Sequence, residues 1–324
     1  MRKMSTCEQT TPVAVRTCHS VEEQAALLDT WNQSYCQISR GAFDGSVTTL
    51  VIGGFRVHTE RLNRTVYQRG EVAAKEIAVG IPFQLEGHAL LCGQPSHRDA
   101  LHVFSGEGGF EFLSPDQHLV VNLEICPENI SNRAAREHLD LLRPRLTRRA
   151  GLIPVASTRL QEFRVVLESM LNILTRMPHL TKDVNIAETF ERSAVFGLAD
   201  VLDSEPELLT QSASRTSRHW QLVRAVRELV EASPDCPLTV AELCVRLRAS
   251  RRTLQYAFEE ALGMNPFLYT RAIRLGKVQR ELQSAASVTE AATRWGFWHL
   301  GNFSAEYREQ FGELPSETLR RYRG

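Results

Sequence analysis

The chain has 324 residues, of which 43% are hydrophobic and 23% are charged, and its formal net charge is zero. This length favours two domains, and the apolar content is sufficient for buried cores. No apolar run approaches the roughly 20 residues that cross a bilayer, and no apolar stretch follows the basic start. We therefore expect a cytoplasmic protein with no secretory signal and no membrane partner.

The seven cysteines are odd in number and scattered, and they form no CxxC pair. This pattern argues against a disulfide framework and against a zinc site. No motif for a bound cofactor is evident in the rest of the chain.

The charge is distributed unevenly along the chain. Residues 1–214 carry 21 Lys and Arg against 26 Asp and Glu, whereas residues 215–324 carry 17 against 12. A positive C-terminal unit on an acidic partner domain is typical of phosphate-binding proteins, although a solvated surface can carry the same excess.

Short strands are predicted between residues 46 and 125. The runs are rich in β-branched and aromatic residues and are separated by Gly, Pro, Ser and Asp. They cover Val47–Phe55, Val57–Leu62, Glu76–Phe83, Leu85–Leu91, Ala100–Phe104 and His118–Ile125. Many short strands with frequent turn residues favour a barrel or a sandwich.

Helical periodicity replaces the strand pattern after Pro127. The predicted helices are Glu128–Leu142, Thr158–Arg176 and Asn185–Leu202. The second has an apolar stripe that is either core or a dimer seam, since helical seams commonly build two-fold dimers. The stripe consists of Leu160, Phe163, Leu167, Leu171 and Leu174.

A polar, serine-rich segment then separates two domains. We place the N-terminal domain at residues 1–208, the linker at 209–217 and the C-terminal domain at 218–324. The C-terminal domain opens with a predicted helix over Trp220–Ala232.

Two short helices separated by a tight turn follow. Thr239 is a plausible N-cap for Val240–Leu247, and Ser250 can cap the second helix, Arg251–Phe258. This second helix leaves four polar side chains facing outward, namely Arg251, Arg252, Gln255 and Tyr256. Arg matches guanine and Gln matches adenine in two-point contacts, so the helix has the side chains that reading a major groove requires.

The same layout recurs near the C-terminus. Thr289 caps a predicted helix over Glu290–Trp295, Gly296 allows a bend, and His299–Phe311 forms the second helix. The two helix-turn-helix units therefore span residues 239–260 and 288–311.

A long helix over residues 266–283 joins the two units. Pro266 suits its first turn, and its predicted length is about 27 Å, on the scale of one turn of DNA. The basic residues Arg271, Arg274, Lys277 and Arg280 are expected to meet phosphates. The overall fold class is α+β: a strand-rich N-terminal barrel or sandwich with a helical dimerisation segment, then an all-α domain with two helix-turn-helix motifs.

Residues 238–322 closely resemble the DNA-binding domain of the AraC/XylS family of bacterial regulators. The resemblance is carried by the segments 250–258, 274–275, 291–297 and 303–316, of which Phe311-Gly312-Glu313-Leu314-Pro315-Ser316 is the most specific. The resemblance implies double-stranded promoter DNA as a partner, a homodimer, contact with RNA polymerase, and control of metabolic, stress or virulence genes as an activator or a repressor.

The resemblance also implies site residues. Arg252, Gln255 and Tyr256 occupy base-contacting positions of the first unit. The second unit departs from the family pattern, because its matching positions are Leu300, Gly301 and Ala305, which offer no side-chain hydrogen bond. We expect it to pack against thymine methyl groups or to read shape, with His299 and Asn302 as further contacts.

The full-length layout is similar to the ethanolamine-operon regulator subgroup. The segment 295–301 and the N-terminal segments Gly80-Ile81-Pro82 and Ser114-Pro115-Asp116 carry this likeness. It implies a shared architecture and leaves the effector open.

Other features have plainer interpretations. Histidines 58, 88, 97, 102 and 118 match no metal-ligand spacing, so we interpret them as surface or turn residues. Residues 106–110 lack the Lys and Ser/Thr of a phosphate loop and predict a hairpin turn. Cys92 or Cys126 as a redox sensor has no support in the sequence. The basic run Arg143, Arg145, Arg148 and Arg149 is either a solvated face or a contact to DNA or the other domain.

These observations favour a DNA-binding transcription regulator over an enzyme, because no nucleophile elbow, metal motif or nucleotide loop is present. The N-terminal domain is expected to dimerise and to bind a small-molecule effector. A regulator without a ligand, in which this domain serves only dimerisation and protein partners, stays open. An enclosed apolar cavity with convergent polar groups distinguishes the two versions.

Overall fold

The structure, a computed structural model, describes residues 13–204 and 213–323. Residues 209–212 of the predicted linker lie outside the described residues. No helix within the described ranges is long and apolar enough to cross a membrane.

Two β-sheets build the N-terminal domain. Their strands are β1 (Val13–Cys18), β2 (Trp31–Gln37), β3 (Gly45–Ile52), β4 (Phe55–Leu62), β5 (Val66–Val72), β6 (Ile77–Leu85), β7 (Leu90–Leu91), β8 (Gln94–Pro95), β9 (Ala100–Val103), β10 (Phe110–Ser114), β11 (His118–Ile125) and β12 (Gly151–Pro154). The large sheet has the order β1-β3-β4-β11-β6-β9-β12, and the small sheet has the order β2-β5-β10-β7-β8. Every strand pair in both sheets is antiparallel.

Helices accompany both parts of the chain. In the N-terminal part they are α1 (Val21–Ala26), α2 (Arg133–Thr147), α3 (Ser157–Arg176) and α4 (Val184–Asp203). In the C-terminal part they are α5 (Ala213–Glu231), α6 (Val240–Leu247), α7 (Arg251–Leu262), α8 (Pro266–Glu281), α9 (Val288–Arg294), α10 (Leu300–Phe311) and α11 (Pro315–Arg323). The strand-rich first part and the helical second part confirm the predicted class.

Successive side chains of the central strands point alternately into two buried environments. On β11, Val121 and Leu123 belong to a core between the large sheet and helices α2, α3 and α4. The alternate residues Asn122 and Glu124 are also buried, on the opposite face of the strand. The interior between the sheets holds a second core, which includes Trp31, Phe104, Phe110 and Phe112.

Several predictions in this domain were wrong. The prediction began the strands at residue 46 and so missed β1 and β2, and it also missed β5 and β12. Residues 106–110 do not form a hairpin turn, because β9 lies in the large sheet and β10 in the small sheet. Positive φ angles at Gly106, Gly108 and Gly109 carry the chain between the sheets.

The histidines are also placed differently from the prediction. His58, His102 and His118 are buried rather than at the surface, because they fall on strand positions that face the interior. Burial lowers the pKa of His102 and His118 to about 3, which keeps both rings neutral. The described residues contain no group of three or more His, Cys, Asp or Glu placed to hold a metal ion.

The apolar stripe of α3 is core. Leu160, Phe163, Leu167 and Leu174 are buried against α4 and the large sheet, and Leu171 packs at the edge. This decides between the two interpretations left open by the sequence.

The C-terminal helices form two apolar clusters. One joins α5, α6 and α7 through residues such as Trp220, Val226, Leu243 and Phe258. The other joins α9, α10 and the second half of α8. Helix α8 contributes to both clusters, as predicted for a linking helix. Helix α5 begins at Ala213, inside the range predicted as a linker.

The N-terminal domain contacts both clusters directly. The Trp220 indole N–H donates to Glu111 at 3.0 Å, and the Arg227 guanidinium lies 3.8 Å from the centre of the Tyr67 ring. The side-chain amides of Gln37 and Gln310 each donate to the backbone of the other segment, Gln37 to the Gln310 carbonyl at 2.8 Å and Gln310 to the Gln37 carbonyl at 3.2 Å.

Candidate nucleic-acid interface

Helix α6 begins with a capping box, which explains why its bounds follow from local sequence. The Thr239 hydroxyl accepts from the Glu242 N–H at 3.3 Å, and the Glu242 carboxylate accepts from the Thr239 N–H at 2.7 Å. These hydrogen bonds hold the pKa of Glu242 below its usual value. The helix ends at Leu247, and its C-cap Arg248 has a left-handed φ of 50° that turns the chain into α7.

Helix α7 is positioned by one cap and one apolar face. The Ser250 hydroxyl accepts from the Thr253 N–H at 3.0 Å, as predicted. Leu254, Phe258 and Ala261 are buried in the cluster shared with α5, and Ala257 is buried as well. This packing fixes the rotation of the helix about its axis.

The opposite face of α7 carries the four predicted base-contacting residues. Arg251, Arg252, Gln255 and Tyr256 are all exposed and line one shallow depression together with Glu259. The Gln255 amide donates to Glu259 at 3.2 Å, and the Tyr256 ring packs edge-on against His219. Within the described ranges, neither Arg251 nor Arg252 has a hydrogen-bond or ion-pair partner. The structure therefore brings these four side chains together on a solvent-facing surface.

The linking helix α8 starts at Pro266, and the Asn265 side chain accepts from the Leu268 N–H at 2.9 Å. Its Pro266 start confirms the predicted first residue, and it ends two residues before the predicted end.

The basic residues of α8 have partners inside the protein. Arg271 pairs with Glu306 of α10. Arg274 donates to the Leu238 carbonyl at 3.2 Å, and burial lowers its pKa. Lys277 lies 3.1 Å from Glu231 of α5. Arg280 donates to the Tyr35 carbonyl at 3.4 Å. Phosphate contact by Arg271, Arg274 and Lys277 stays a prediction.

The second helix pair consists of α9 and α10, which are joined by a bend at Gly296. Ser287, rather than the predicted Thr289, caps α9 by accepting from the Glu290 N–H at 3.1 Å. Gly296, at φ 82°, lies against Pro237 and makes the bend. His299 occupies the N-cap position of α10.

The predicted contacts of this pair lie side by side at the start of α10. His299, Leu300 and Asn302 are exposed, as are Gly301 and Ala305. Trp298, which is not among the predicted contacts, is 67% exposed and adjoins them. An aromatic residue directly before a helix start, in a segment where the neighbouring aromatics are buried, was the signal available in the sequence.

Comparison with known proteins addresses the same part of the chain. A family model described as a helix-turn-helix domain matches residues 243–321. The "Probable thc operon regulatory protein" of Rhodococcus erythropolis is 41% identical over 103 residues, which are 31% of this chain and 31% of that protein. The "XylDLEGF operon transcriptional activator 3" of Pseudomonas putida is 34% identical over 121 residues, which are 36% of this chain and 37% of that protein. Residues 243–321 belong to the AraC/XylS family.

These similarities apply to the AraC-type domain alone. The matched residues span about a third of the length of both relatives. Among solved structures, "a probable AraC family transcriptional regulator from Rhodopseudomonas palustris" is 36% identical and covers 32% of this chain and 99% of that chain, with a TM-score of 0.30.

Proposed function

We propose that this chain is a sequence-specific DNA-binding transcription regulator whose AraC-type domain reads promoter DNA. The observation that carries the proposal is the exposed face of α7, on which Arg251, Arg252 and Gln255 lie together. Their donors match the edges of guanine and adenine in the major groove. The fixed rotation of α7 aims these side chains away from the protein.

The two helix pairs act in this proposal as two helix-turn-helix units. The pair α6 and α7 reads bases through polar side chains. The pair α9 and α10 offers Leu300, Gly301 and Ala305, so it packs against thymine methyl groups and reads groove shape, with His299 and Asn302 as polar contacts.

Phosphate contact then falls to exposed basic residues beside the reading helices. Arg246 and Arg248 lie at the exposed end of α6, directly before α7. Arg271 and Lys277 reach phosphates only if they leave Glu306 and Glu231. Each phosphate contact made in this way steepens the dependence of affinity on salt.

A homodimer would place two such domains on paired DNA sites. An apolar stripe on the exposed face of α3 supports this, with Val166, Ile173 and Met177 between 48% and 54% exposed. Val166 and Ile173 are seven residues apart, and Met170 lies between them, which is the spacing of a helical seam.

An antiparallel copy of α3 suits this stripe. A two-fold axis near Ser169 places Val166 opposite Ile173 and brings Glu162 towards Arg176 of the second copy. Apolar residues then meet apolar residues, and opposite charges flank them. A small molecule bound to the N-terminal domain completes the proposal, because a ligand that favours one dimer geometry changes which sites both domains reach.

Genome-wide occupancy in the host tests the proposal. The full-length protein should give sharp peaks upstream of a few operons, and Arg252→Ala should lose them. Arg133→Ala is the matched control, because Arg133 is an exposed arginine of α2 in the N-terminal domain. Diffuse occupancy for all three proteins, with and without ethanolamine in the medium, would reject the regulator assignment.

A further inference from the structure

The outer face of the small sheet is organised in rows set by strand register. Cys36, Tyr67 and Leu113 are cross-strand neighbours, and they pack in the cluster that contains Trp220 of α5. The next row in the same direction contains Ser34, Arg69 and Glu111. The row after it pairs Asn32 with Glu71. Helix α5 therefore covers the apolar row and reaches Glu111 of the next row, whereas Arg69 and Glu71 stay exposed.

A cleft lies over these charged rows. One cavity, of about 510 Å³, is bounded by Arg69, Arg149 and Glu111 of the N-terminal domain and by Trp220 and Arg224 of α5. A second, of about 630 Å³, shares the wall formed by Asn32, Glu71 and residues 107–109. Both volumes suit a small metabolite.

One end of the cleft is cationic. Glu111 holds the α5 wall in place, since it accepts from Trp220 and lies 3.3 Å from Arg224. Arg69 and Arg149 have no hydrogen-bond or ion-pair partner among residues 13–204 and 213–323. Two guanidinium groups without an ion pair lie beside Arg224, which pairs with Glu111 and with Glu228 at 3.1 Å. The two unpaired groups are suited to a carboxylate, which arginine binds through two parallel hydrogen bonds, and Arg224 adds positive charge beside them.

The wall between the two cavities is anionic. Glu71 and Glu107 lie in the wall shared by both cavities, and neither has an ion-pair or hydrogen-bond partner in the described parts of the chain. Arg69 and Glu71 are two positions apart on β5, so their side chains leave the same face about 7 Å apart. The cleft therefore presents a positive and a negative group at a fixed spacing.

We propose that this cleft binds an amphoteric small molecule, with its carboxylate at Arg69, Arg149 and Arg224 and its ammonium group at Glu71 and Glu107. The ligand spans the junction between the small sheet and the AraC-type domain, because Arg224 belongs to α5. Binding therefore stabilises the docked arrangement of the two domains. This inference rests on the proposed function, for which it names the site and chemical class of the effector.

Calorimetry on the full-length protein tests the site without DNA. The probes are γ-aminobutyrate, δ-aminovalerate and ε-aminocaproate, with valerate and n-pentylamine as analogues that carry one charge. At least one ω-amino acid should bind about tenfold to a hundredfold more tightly than both analogues, as expected for one added charged hydrogen-bonding group. Absence of binding by all three ω-amino acids, or equal binding of valerate or n-pentylamine, overturns the proposal.

Reversing the charge of Glu71 or of Arg69 tests the site through a change in ligand preference. Glu71→Arg should change the preference to the dicarboxylate glutarate, and Arg69→Glu should change it to the diamine cadaverine. Both residues are exposed, so the folded state should tolerate these changes. Arg133→Ala should keep the preference of the unaltered protein. An unchanged preference in both exchange variants places binding elsewhere and overturns the site.

DNA binding by the same preparations separates the two proposals. Protein that binds promoter DNA but no ω-amino acid overturns the cleft and leaves the regulator assignment standing. Protein that binds an ω-amino acid as described but no promoter DNA supports the cleft and overturns the regulator assignment.

Discussion

Arginine side chains in the C-terminal domain fall into two groups at the residue scale. Arg251 and Arg252 face solvent on α7, whereas Arg271 and Arg274 are engaged by Glu306 and by the Leu238 carbonyl. A guanidinium that is already paired must break that contact before it meets DNA. A guanidinium without a partner loses only water and side-chain freedom, which is why we assign the proposed reading role to the first group.

Arg252→Ala should weaken binding to the cognate promoter by about 1–3 kcal/mol, because a two-point contact to a base is lost. Binding to random DNA should change much less, so discrimination should fall. A fluorescence anisotropy titration of both DNAs measures this, with Arg133→Ala as the control. Unchanged discrimination in Arg252→Ala would remove Arg252 from the reading set.

Glu60 illustrates a buried carboxyl in the interior of the N-terminal domain. It accepts from the Gln24 amide at 3.2 Å and from the Tyr35 hydroxyl at 2.9 Å. Burial raises the pKa of Glu60 to about 7, and the two hydrogen bonds only partly oppose this. The folded state therefore binds a proton at this site more tightly than the unfolded chain does.

This pKa has a defined consequence for stability. The stabilisation that Glu60 gives through its bound proton is fully present below 4.5, the pKa of Glu60 in the unfolded chain. It is lost as the pH rises through about 7, the pKa in the folded state. Glu60→Gln keeps an oxygen for both donors and does not titrate. Relative to this variant, the free energy of unfolding of the original protein should fall by up to about 3 kcal/mol between about pH 5 and about pH 8. Urea unfolding at each pH measures the difference.

The control for this prediction is Glu137→Gln, an exposed carboxyl of α2. A Glu60→Gln profile parallel to that of the original protein would show that Glu60 does not titrate in this range.

At the scale of elements, the N-cap residue of α7 is expected to affect both the free energy of unfolding and the affinity for DNA. Ser250→Ala removes the acceptor of the Thr253 N–H and should lower the free energy of unfolding by about 1 kcal/mol. Ser250→Asp keeps an acceptor and should keep stability, but its charge should weaken binding to DNA phosphates. Thermal unfolding and DNA titration distinguish the two effects. Ser284→Ala, which removes an exposed hydroxyl without a cap, is the control, and an equal loss of stability there would refute the capping argument.

Local signals explain which elements could be predicted. The bounds of α6 and the starts of α7 and α8 followed from Thr239, Ser250 and Pro266, because a cap or a proline acts within a few residues. Strands β2 and β5 were missed. Their outward residues, such as Asn32 and Arg69, are polar, so neither strand contains the continuous apolar run by which strands were predicted.

The candidate site was predictable to a similar degree. The exposed face of α7 follows from the spacing of Leu254 and Phe258, which fixes what faces outward. The partner of Arg271 does not follow from local spacing, because Glu306 is 35 positions away and approaches only when α10 packs on α8. The cleft beside α5 depends on strand register and domain docking, neither of which a single sequence displays.

At the scale of the whole molecule, the N-terminal domain contacts both helix pairs at once. The His88 ring bonds to the Ala261 carbonyl at the end of α7, at 2.5 Å. The Gln37 and Gln310 amides bond reciprocally at the end of α10. A domain that contacts both reading units can set their relative position. In the proposed function, a ligand or dimer contact that shifts this domain would act on DNA binding through these contacts.

The last prediction concerns the exposed apolar stripe of α3 and the association state of the protein. Val166→Glu should convert a dimer into a monomer, because it buries a charge in the proposed seam. Val165→Glu is a matched control, since Val165 is similarly exposed on the same helix but points about 100° away from Val166. Sedimentation velocity at micromolar concentration measures the association state. Affinity for paired DNA sites should fall by about a hundredfold or more in Val166→Glu, whereas affinity for a single site should hold, because only avidity is lost. A monomeric original protein, or equal effects of the two substitutions, would place the dimer contact elsewhere or exclude it.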